Sequence, residues 1–248
     1  QLAVPDSAWS YRTAAYVQGL VREPPHEIEL VVEAERRVVD PPGVRVRRRL
    51  NVNDAVDQLH WPWRTVVEET LLDVSSTSSA EELFALLGRG FQRRLISEQS
   101  VSTALERRRG HRYSALLTEV LGVAANGAES AMEIRYVRDV EKAHALPAGL
   151  RQRPAPGGGP ERHDIAYDEQ KVLVELDGRL AHEGFDAQRQ DGRRDRRGAT
   201  RGWLTVRAYW MDVAVTPCEL AVDVDAILVS RGARSELRPC RRRTCVLR

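Results

Sequence analysis

The chain is poor in lysine, cysteine and aromatic residues. Only Lys142 and Lys171 are lysines among 38 basic residues, and 6% of the residues are aromatic. Three cysteines in 248 residues exclude a disulfide-based scaffold and favour a reducing, cytoplasmic location. No stretch approaches the roughly 18 to 20 consecutive apolar residues of a membrane span, so we expect no membrane partner.

The composition is that of a folded protein with balanced charge. A hydrophobic fraction of 42% allows a packed core, and 248 residues correspond to one large or two small domains. The net charge of +2 argues against binding nucleic acid through overall positive charge. The arginine excess has two interpretations: the codon usage of a GC-rich genome, or local clusters of guanidinium groups that bind phosphates.

The pattern of residues predicts an α/β (α+β) protein with two domains and a tail. Residues 1–125 read as a mixed, largely helical domain, in which Thr65 and Ser79 are expected to cap helices. Two short helices near Arg94 form either a helix-turn-helix or a plain αα-hairpin, which we favour. Residues 126–230 run helix, strand, strand, helix, strand, helix, and a small-residue linker at 122–127 separates the two domains. Residues 231–248 read as a charged, mobile tail, and Cys240 and Cys245 there have no neighbouring partners for a zinc site.

Acidic residues on two predicted strands are the strongest candidates for chemistry. Glu175 and Asp177 lie on one face of an otherwise apolar strand, and a hairpin would bring Asp164 beside them. Neighbouring carboxylates on a buried strand are costly unless something cationic neutralises them. Mg²⁺, with Mn²⁺ as an alternative, suits such oxygen ligands. The competing interpretation is that these acids pair with the abundant arginines.

Other polar residues surround these acids in the sequence. Glu133 lies on the preceding helix and can add a carboxylate, and His182 can act on a water molecule as general acid or base. The segment from Arg189 to Arg201 is dense in arginine. Its residues Arg193, Arg194 and Arg197 either contact phosphates or form a solvated helix face.

These motifs resemble a known group of nucleases. Glu133, Asp164, Glu175-Leu176-Asp177-Gly178, His182, Asp191-x-x-Arg194-Asp195 and Gly202-Trp203-x-x-x-Arg207 resemble small restriction-endonuclease-like domains related to the very-short-patch repair endonuclease, in the PD-(D/E)xK superfamily. The resemblance covers about residues 128 to 230. It implies a mixed sheet flanked by helices and Mg²⁺-dependent hydrolysis of phosphodiester bonds.

The resemblance also implies a role for each acid. Asp164 would be the central metal-binding acid, Glu175 the acid of the second motif, and Glu133 the helix-borne acid. His182 would assist the attacking water. Asp177 would be a further metal ligand but stands where many members have lysine, which leaves the general base unassigned.

The N-terminal part resembles a different family. Residues 7–20 and 64–73 are similar to the abortive-infection (AbiEi-type) antitoxin and regulator domain. By association this implies a regulatory or DNA-binding role, with a partner toxin or a homodimer as possible assemblies.

The expected function is therefore a metal-dependent DNA endonuclease or nickase, in DNA repair or phage defence. The alternative is a non-catalytic, antitoxin-like transcriptional regulator or DNA-binding protein with a degenerate nuclease fold. A third hypothesis is that the protein is an RNA nuclease.

Overall fold

The chain divides into two compact units, Gln1–Leu117 and Thr118–Arg248. The computed structural model describes residue 4 and residues 6–108, 110–122, 127–154, 162–178 and 185–248, with the backbone alone at 127–130 and 185–191. Each unit combines helices with a mixed sheet, so the α+β class expected from the sequence is confirmed. None of the described helices is both long enough and apolar enough to cross a bilayer.

The first unit contains a five-stranded sheet in the order β3-β2-β1-β5-β4. The strands are β1 (Ala8–Trp9), β2 (Ile28–Glu33), β3 (Val44–Arg49), β4 (Val56–Asp57) and β5 (Arg64–Thr65). The two long strands, β2 and β3, pair in parallel. Leu30, Val32 and Val46 from these strands form an apolar cluster with Val4. The apolar run of β2 and the alternating pattern of β3 both place apolar side chains in this cluster, which favours the strand conformation.

Helices account for most of the rest of the first unit. They are α1 (Tyr11–Val17), α2 (Val67–Thr77), α3 (Ala80–Gln92) and α4 (Glu98–Arg107), and α5 (Ser114–Val120) begins in the first unit and ends in the second. Ser79 caps α3 as predicted, because its side chain accepts a hydrogen bond from the Glu82 N–H at 3.3 Å. The prediction that Thr65 caps α2 was wrong: Val66 precedes that helix, and the Thr65 hydroxyl contacts the Thr70 hydroxyl at 2.6 Å.

Two carboxylates of α2 are buried against an arginine. Glu69 is 1% exposed and Asp73 is 2% exposed. Arg108 donates from Nε to Glu69 Oε2 at 2.8 Å and from Nη2 to Asp73, and Arg49 donates to Glu69 Oε2 at 2.9 Å. Burial raises the pKa of Asp73, and the positive charges of Arg108 and Arg49 only partly offset this effect. The two arginines therefore make the burial of both acids tolerable.

Replacing Arg108 with methionine is expected to lower the free energy of unfolding by about 3 kcal/mol, because the buried carboxylates of Glu69 and Asp73 would each lose a hydrogen bond from Arg108. Urea titration measures the change. Arg107→Met is the matched control: its side chain is 55% exposed and lies 3.7 Å from Glu69, so we expect a loss below about 1 kcal/mol. Equal losses in the two variants would contradict the argument.

The second unit contains a four-stranded sheet flanked by helices. Its strands, in the order β6-β7-β8-β9, are β6 (Leu150–Pro154), β7 (Arg162–Tyr167), β8 (Val172–Asp177) and β9 (Leu204–Tyr209). β7 is antiparallel to both β6 and β8, and β9 is parallel to β8. The helices are α6 (Gly127–Arg135), which continues as a π-helical segment (Tyr136–Lys142), α7 (Phe185–Ala199) and α8 (Pro217–Ser230); a short π-helical segment (Met211–Val215) precedes α8.

The apolar face of this sheet is covered by the helical segment that precedes it. Ile165, Tyr167 and Val174 are buried, and the hydroxyls of Tyr167 and Tyr136 lie 3.2 Å apart. Burial raises the pKa of Tyr167 to about 12, so this pair remains neutral at physiological pH. The packing fixes α6 beside the sheet and thereby places Glu133 near the strand ends.

The C-terminal segment differs from the mobile tail predicted for residues 231–248. Cys240 and Cys245 are 8% and 5% exposed, and the Arg238 N–H donates to the carbonyl of His144 at 3.0 Å. The prediction rested on the many arginines of this segment and on the lack of neighbouring partners for its two thiols. These thiols pack against Cys218 and hold the segment to the body of the unit.

Candidate functional site

The predicted acidic residues lie where β7 and β8 separate. The ladder between these strands ends at the pair Ile165 and Val174. Beyond that pair, Asp164 Oδ2 accepts a hydrogen bond from the backbone N–H of Leu176 at 2.7 Å. The Asp164 side chain thus accepts a hydrogen bond that a backbone carbonyl would otherwise accept from β8. This bond holds the carboxylate at the end of the sheet.

An amide from the neighbouring strand joins two of the acids. Gln152 Nε2 donates to Glu133 Oε1 at 2.7 Å and lies 3.4 Å from Asp164 Oδ1. Gln152 lies on β6 with a φ of +48°, a left-handed conformation that glutamine rarely adopts. The structure therefore brings Glu133 and Asp164, which are far apart in sequence, to one donor group.

Glu175 and Asp177 occupy alternate positions of β8, on the face opposite Val174 and Leu176. Glu175 Oε1 contacts His163 Nδ1, and both side chains are largely shielded from solvent, at 22% and 14% exposure. This contact gives Glu175 a histidine partner. The parallel register places Glu175 beside Arg207 and Asp177 beside Tyr209 of β9.

The arginines of α7 differ in their surroundings from Arg207. Arg207 Nη2 lies 3.0 and 3.1 Å from the two carboxylate oxygens of Asp195, which joins β9 to α7. Arg193, Arg194 and Arg197 are exposed on the same helix. Their exposure is compatible with both interpretations made from the sequence, phosphate contacts and a solvated helix face. His182 lies outside the residues that the structure describes.

Sequence reasoning missed two residues of this site, Gln152 and His163. Gln152 could not be found because the short polar segment Leu150–Pro154 has no strand-like apolar pattern, and only its pairing with β7 brings the amide to the acids. His163 stands directly before Asp164, and that adjacency is a signal that could have suggested it.

The described residues contain a second group with a different ligand chemistry. His144, Cys218, Cys240 and Cys245 are buried, and their ligand atoms all lie within 4.8 Å of one another. Within the described residues no comparable convergence of three carboxylates occurs. Sulfur and imidazole ligands suit zinc or an iron–sulfur cluster. Mg²⁺ instead takes oxygen ligands and keeps several waters, so one or two carboxylates are enough to bind it. The two groups are therefore separate candidates.

Comparisons with known proteins found no matching family model and no matching curated protein. The chemistry of the carboxylate group and of the cysteine–histidine group is therefore inferred from the residues and geometry of each.

Proposed function

We propose that the second unit is a Mg²⁺-dependent phosphodiester hydrolase that cuts or nicks DNA, with Mn²⁺ as an alternative metal. The observation that carries the proposal is the pair of carboxylates, Glu133 and Asp164, joined by Gln152 where β7 and β8 separate. Two partly buried carboxylates beside one donor group repel each other, and a bound cation offsets this repulsion. Glu175, the residue before Leu176 on β8, supplies a further acid at the same strand end.

The Asp164 carboxylate is held by contacts from both neighbouring strands. Its Oδ2 accepts a hydrogen bond from the Leu176 N–H at 2.7 Å, and Gln152 Nε2 lies 3.4 Å from its Oδ1. A carboxylate oxygen has two lone pairs and can therefore accept more than one ligand. The resemblance assigns Asp164, Glu175 and Asp177 to the metal, and one or two of these carboxylates together with water would be enough to hold Mg²⁺. When bound, Mg²⁺ would lower the pKa of a coordinated water and stabilise the leaving oxygen.

The other residues have supporting roles in this proposal. Gln152 orients Glu133 and Asp164, and His163 fixes the Glu175 side chain. The exposed arginines of α7, Arg193, Arg194 and Arg197, contact backbone phosphates. The resemblance assigns His182 to the attacking water, and Asp177 leaves the general base open.

The first unit serves DNA binding or regulation in this proposal. That role, the partner toxin or homodimer, and the setting in DNA repair or phage defence all rest on the sequence resemblance. Arg193, Arg194 and Arg197 favour a polyanionic substrate over a small phosphate ester, because adjacent guanidinium groups can contact successive phosphates of a strand.

Purified full-length protein is expected to convert supercoiled plasmid to nicked or linear DNA with Mg²⁺ or Mn²⁺, and to stop when the metal is chelated. Mismatched duplex, single-stranded DNA and RNA of matched sequence identify the preferred substrate. Cleavage that continues unchanged in chelator, or no cleavage of any substrate, would contradict the proposal. Metal-independent DNA binding without cleavage would instead support the regulator alternative.

A further inference from the structure

All three cysteines of the chain meet at one point in the second unit. Cys218 is the second residue of α8, Cys240 and Cys245 lie in the C-terminal segment, and His144 follows the π-helical segment Tyr136–Lys142. Their side chains are buried, with His144 fully enclosed. Three separate segments of the chain therefore contribute sulfur or imidazole groups to one enclosed space.

The distances agree with tetrahedral coordination of zinc. Zinc–sulfur bonds of about 2.3 Å in a tetrahedron place sulfur atoms about 3.8 Å apart, and a sulfur and an imidazole nitrogen about 3.6 Å apart. The Cys218 and Cys240 sulfurs are 3.6 Å apart, and Cys245 Sγ lies 3.9 Å from His144 Nε2. Small shifts of side chains would bring all four atoms to these distances.

The histidine is oriented as a metal ligand. His144 Nδ1 lies 3.1 Å from the carbonyl oxygen of Val140, which can only accept, so Nδ1 carries the proton. The lone pair of Nε2 is then available to a metal, and Cys245 Sγ lies 3.9 Å from this nitrogen. A hydrogen bond from the second ring nitrogen to a backbone carbonyl is the arrangement by which proteins fix the tautomer of a ligating histidine.

Hydrogen-bond donors and cationic residues lie close to the sulfurs. The Arg242 N–H donates to Cys240 Sγ at 3.4 Å, and Cys218 lies in the first turn of α8, at the positive end of the helix dipole. Three thiolates bound to one Zn²⁺ carry a net charge of −1. Arg241, Arg242 and Arg243 directly follow Cys240 in the sequence and can balance that charge.

Two other states fit these residues less well. A disulfide brings two sulfurs to about 2.05 Å and leaves the third thiol and His144 without a shared role. An iron–sulfur cluster interposes iron and sulfide atoms between its ligands, so it needs them farther apart than this group, whose ligand atoms all lie within 4.8 Å.

We propose that His144, Cys218, Cys240 and Cys245 bind one structural Zn²⁺ that ties the C-terminal segment to α8 and to the helical segment before the sheet. Four protein ligands close the coordination sphere, as in structural rather than catalytic zinc sites. The spacing of four residues between Cys240 and Cys245 is within the range used by such sites. The site is independent of the nuclease proposal and shares no residue with it.

The test is metal analysis of full-length protein purified without a metal-chelating tag. We expect about one zinc per chain that survives dialysis, and stoichiometric release of that zinc as a mercurial reagent titrates the three thiols of the wild-type protein. Substitution with Co²⁺ is expected to give the visible absorption of tetrahedral thiolate coordination. Cys245→Ser and His144→Ala are expected to lose the zinc, whereas His111→Asn, in the first unit, keeps it.

Each contrary outcome overturns the proposal. These outcomes are no zinc after growth and refolding in zinc, zinc retained at full stoichiometry in Cys245→Ser, and iron with acid-labile sulfide. A mass lower by two hydrogens with one remaining thiol would show a disulfide instead. The mercurial titration uses the wild-type protein, so the result stands even where a cysteine variant fails to fold.

Discussion

Replacing Asp164 with asparagine is expected to lower metal-dependent DNA cleavage about 10³-fold or more, the upper range for loss of one preorganised electrostatic group. Asparagine has the shape of aspartate, and its Oδ1 can still accept the hydrogen bond from the Leu176 N–H. The end of β8 is therefore expected to keep its structure. The variant removes the negative charge that would bind Mg²⁺, together with the oxygen that lies 3.4 Å from Gln152 Nε2.

Glu169→Gln is the matched control for that experiment. Glu169 lies in the exposed turn between β7 and β8, outside the site. Its replacement by glutamine is the same change from carboxylate to amide. Cleavage by this variant is expected to equal that of the wild type, and thermal unfolding of both variants checks that each is folded. Full activity of Asp164→Asn would remove the carboxylate site from the mechanism.

The strands of the second unit that carry apolar residues could be predicted, and the one that lacks them could not. The segments that form β7 and β8 contain apolar runs, which predict buried strands. Ile165 and Val174 in these strands are buried. Leu150–Pro154 has one apolar residue and a terminal proline, and it forms the edge of the sheet, where one side of the strand needs no partner. Its existence depends on pairing with β7, which is a tertiary property.

The candidate site was predictable to the extent that it follows strand alternation. That rule places Glu175 and Asp177 on one face. The roles of Gln152 and His163 depend on where β7 and β8 stop pairing and on the left-handed backbone at Gln152, and neither feature has a local sequence pattern. The hydrogen bonds that define the site therefore had to come from the structure.

The arginine excess acquires a structural explanation that the sequence did not suggest. Arg108 contacts both Glu69 and Asp73, and Arg151 Nη2 lies 2.7 Å from each carboxylate oxygen of the buried Glu141. A planar guanidinium can bond two acceptors at once, whereas an ammonium group acts as a point charge. A chain with only two lysines is therefore suited to burying carboxylates, whatever the origin of its codon usage.

The grouping of the cysteines could not be predicted from the C-terminal segment alone. Residues 231–248 contain no histidine and no cysteine besides Cys240 and Cys245, so the segment has no zinc pattern of its own. Cys218 lies 22 residues before Cys240, and His144 lies 101 residues before Cys245. Such separations are closed only by the packing of α8 on the helical segment before the sheet.

If zinc binds at this group, the stability of the surrounding segments is expected to depend on the free zinc concentration. A ligand that binds only the folded state stabilises it by RT ln(1 + [L]/Kd), so each tenfold increase in free zinc above Kd adds about 1.4 kcal/mol, and 1,000 Kd adds about 4 kcal/mol. Hydrogen exchange measured in zinc buffers reports this stability segment by segment.

The dependence should be confined to the segments that the ligands join. Amides of α8 and of residues 235–248 are expected to exchange more slowly as zinc rises, whereas amides of α2, in the other unit, should not respond. Cys245→Ser should abolish the slope, while Ser235→Ala, in the same segment but outside the ligand set, should retain it. A slope that is equal in α2 and α8, or unchanged in Cys245→Ser, would mean that zinc acts elsewhere. Confinement to these segments would show that the metal supplies the attachment which the polar, arginine-rich composition of the C-terminal segment cannot provide through apolar burial.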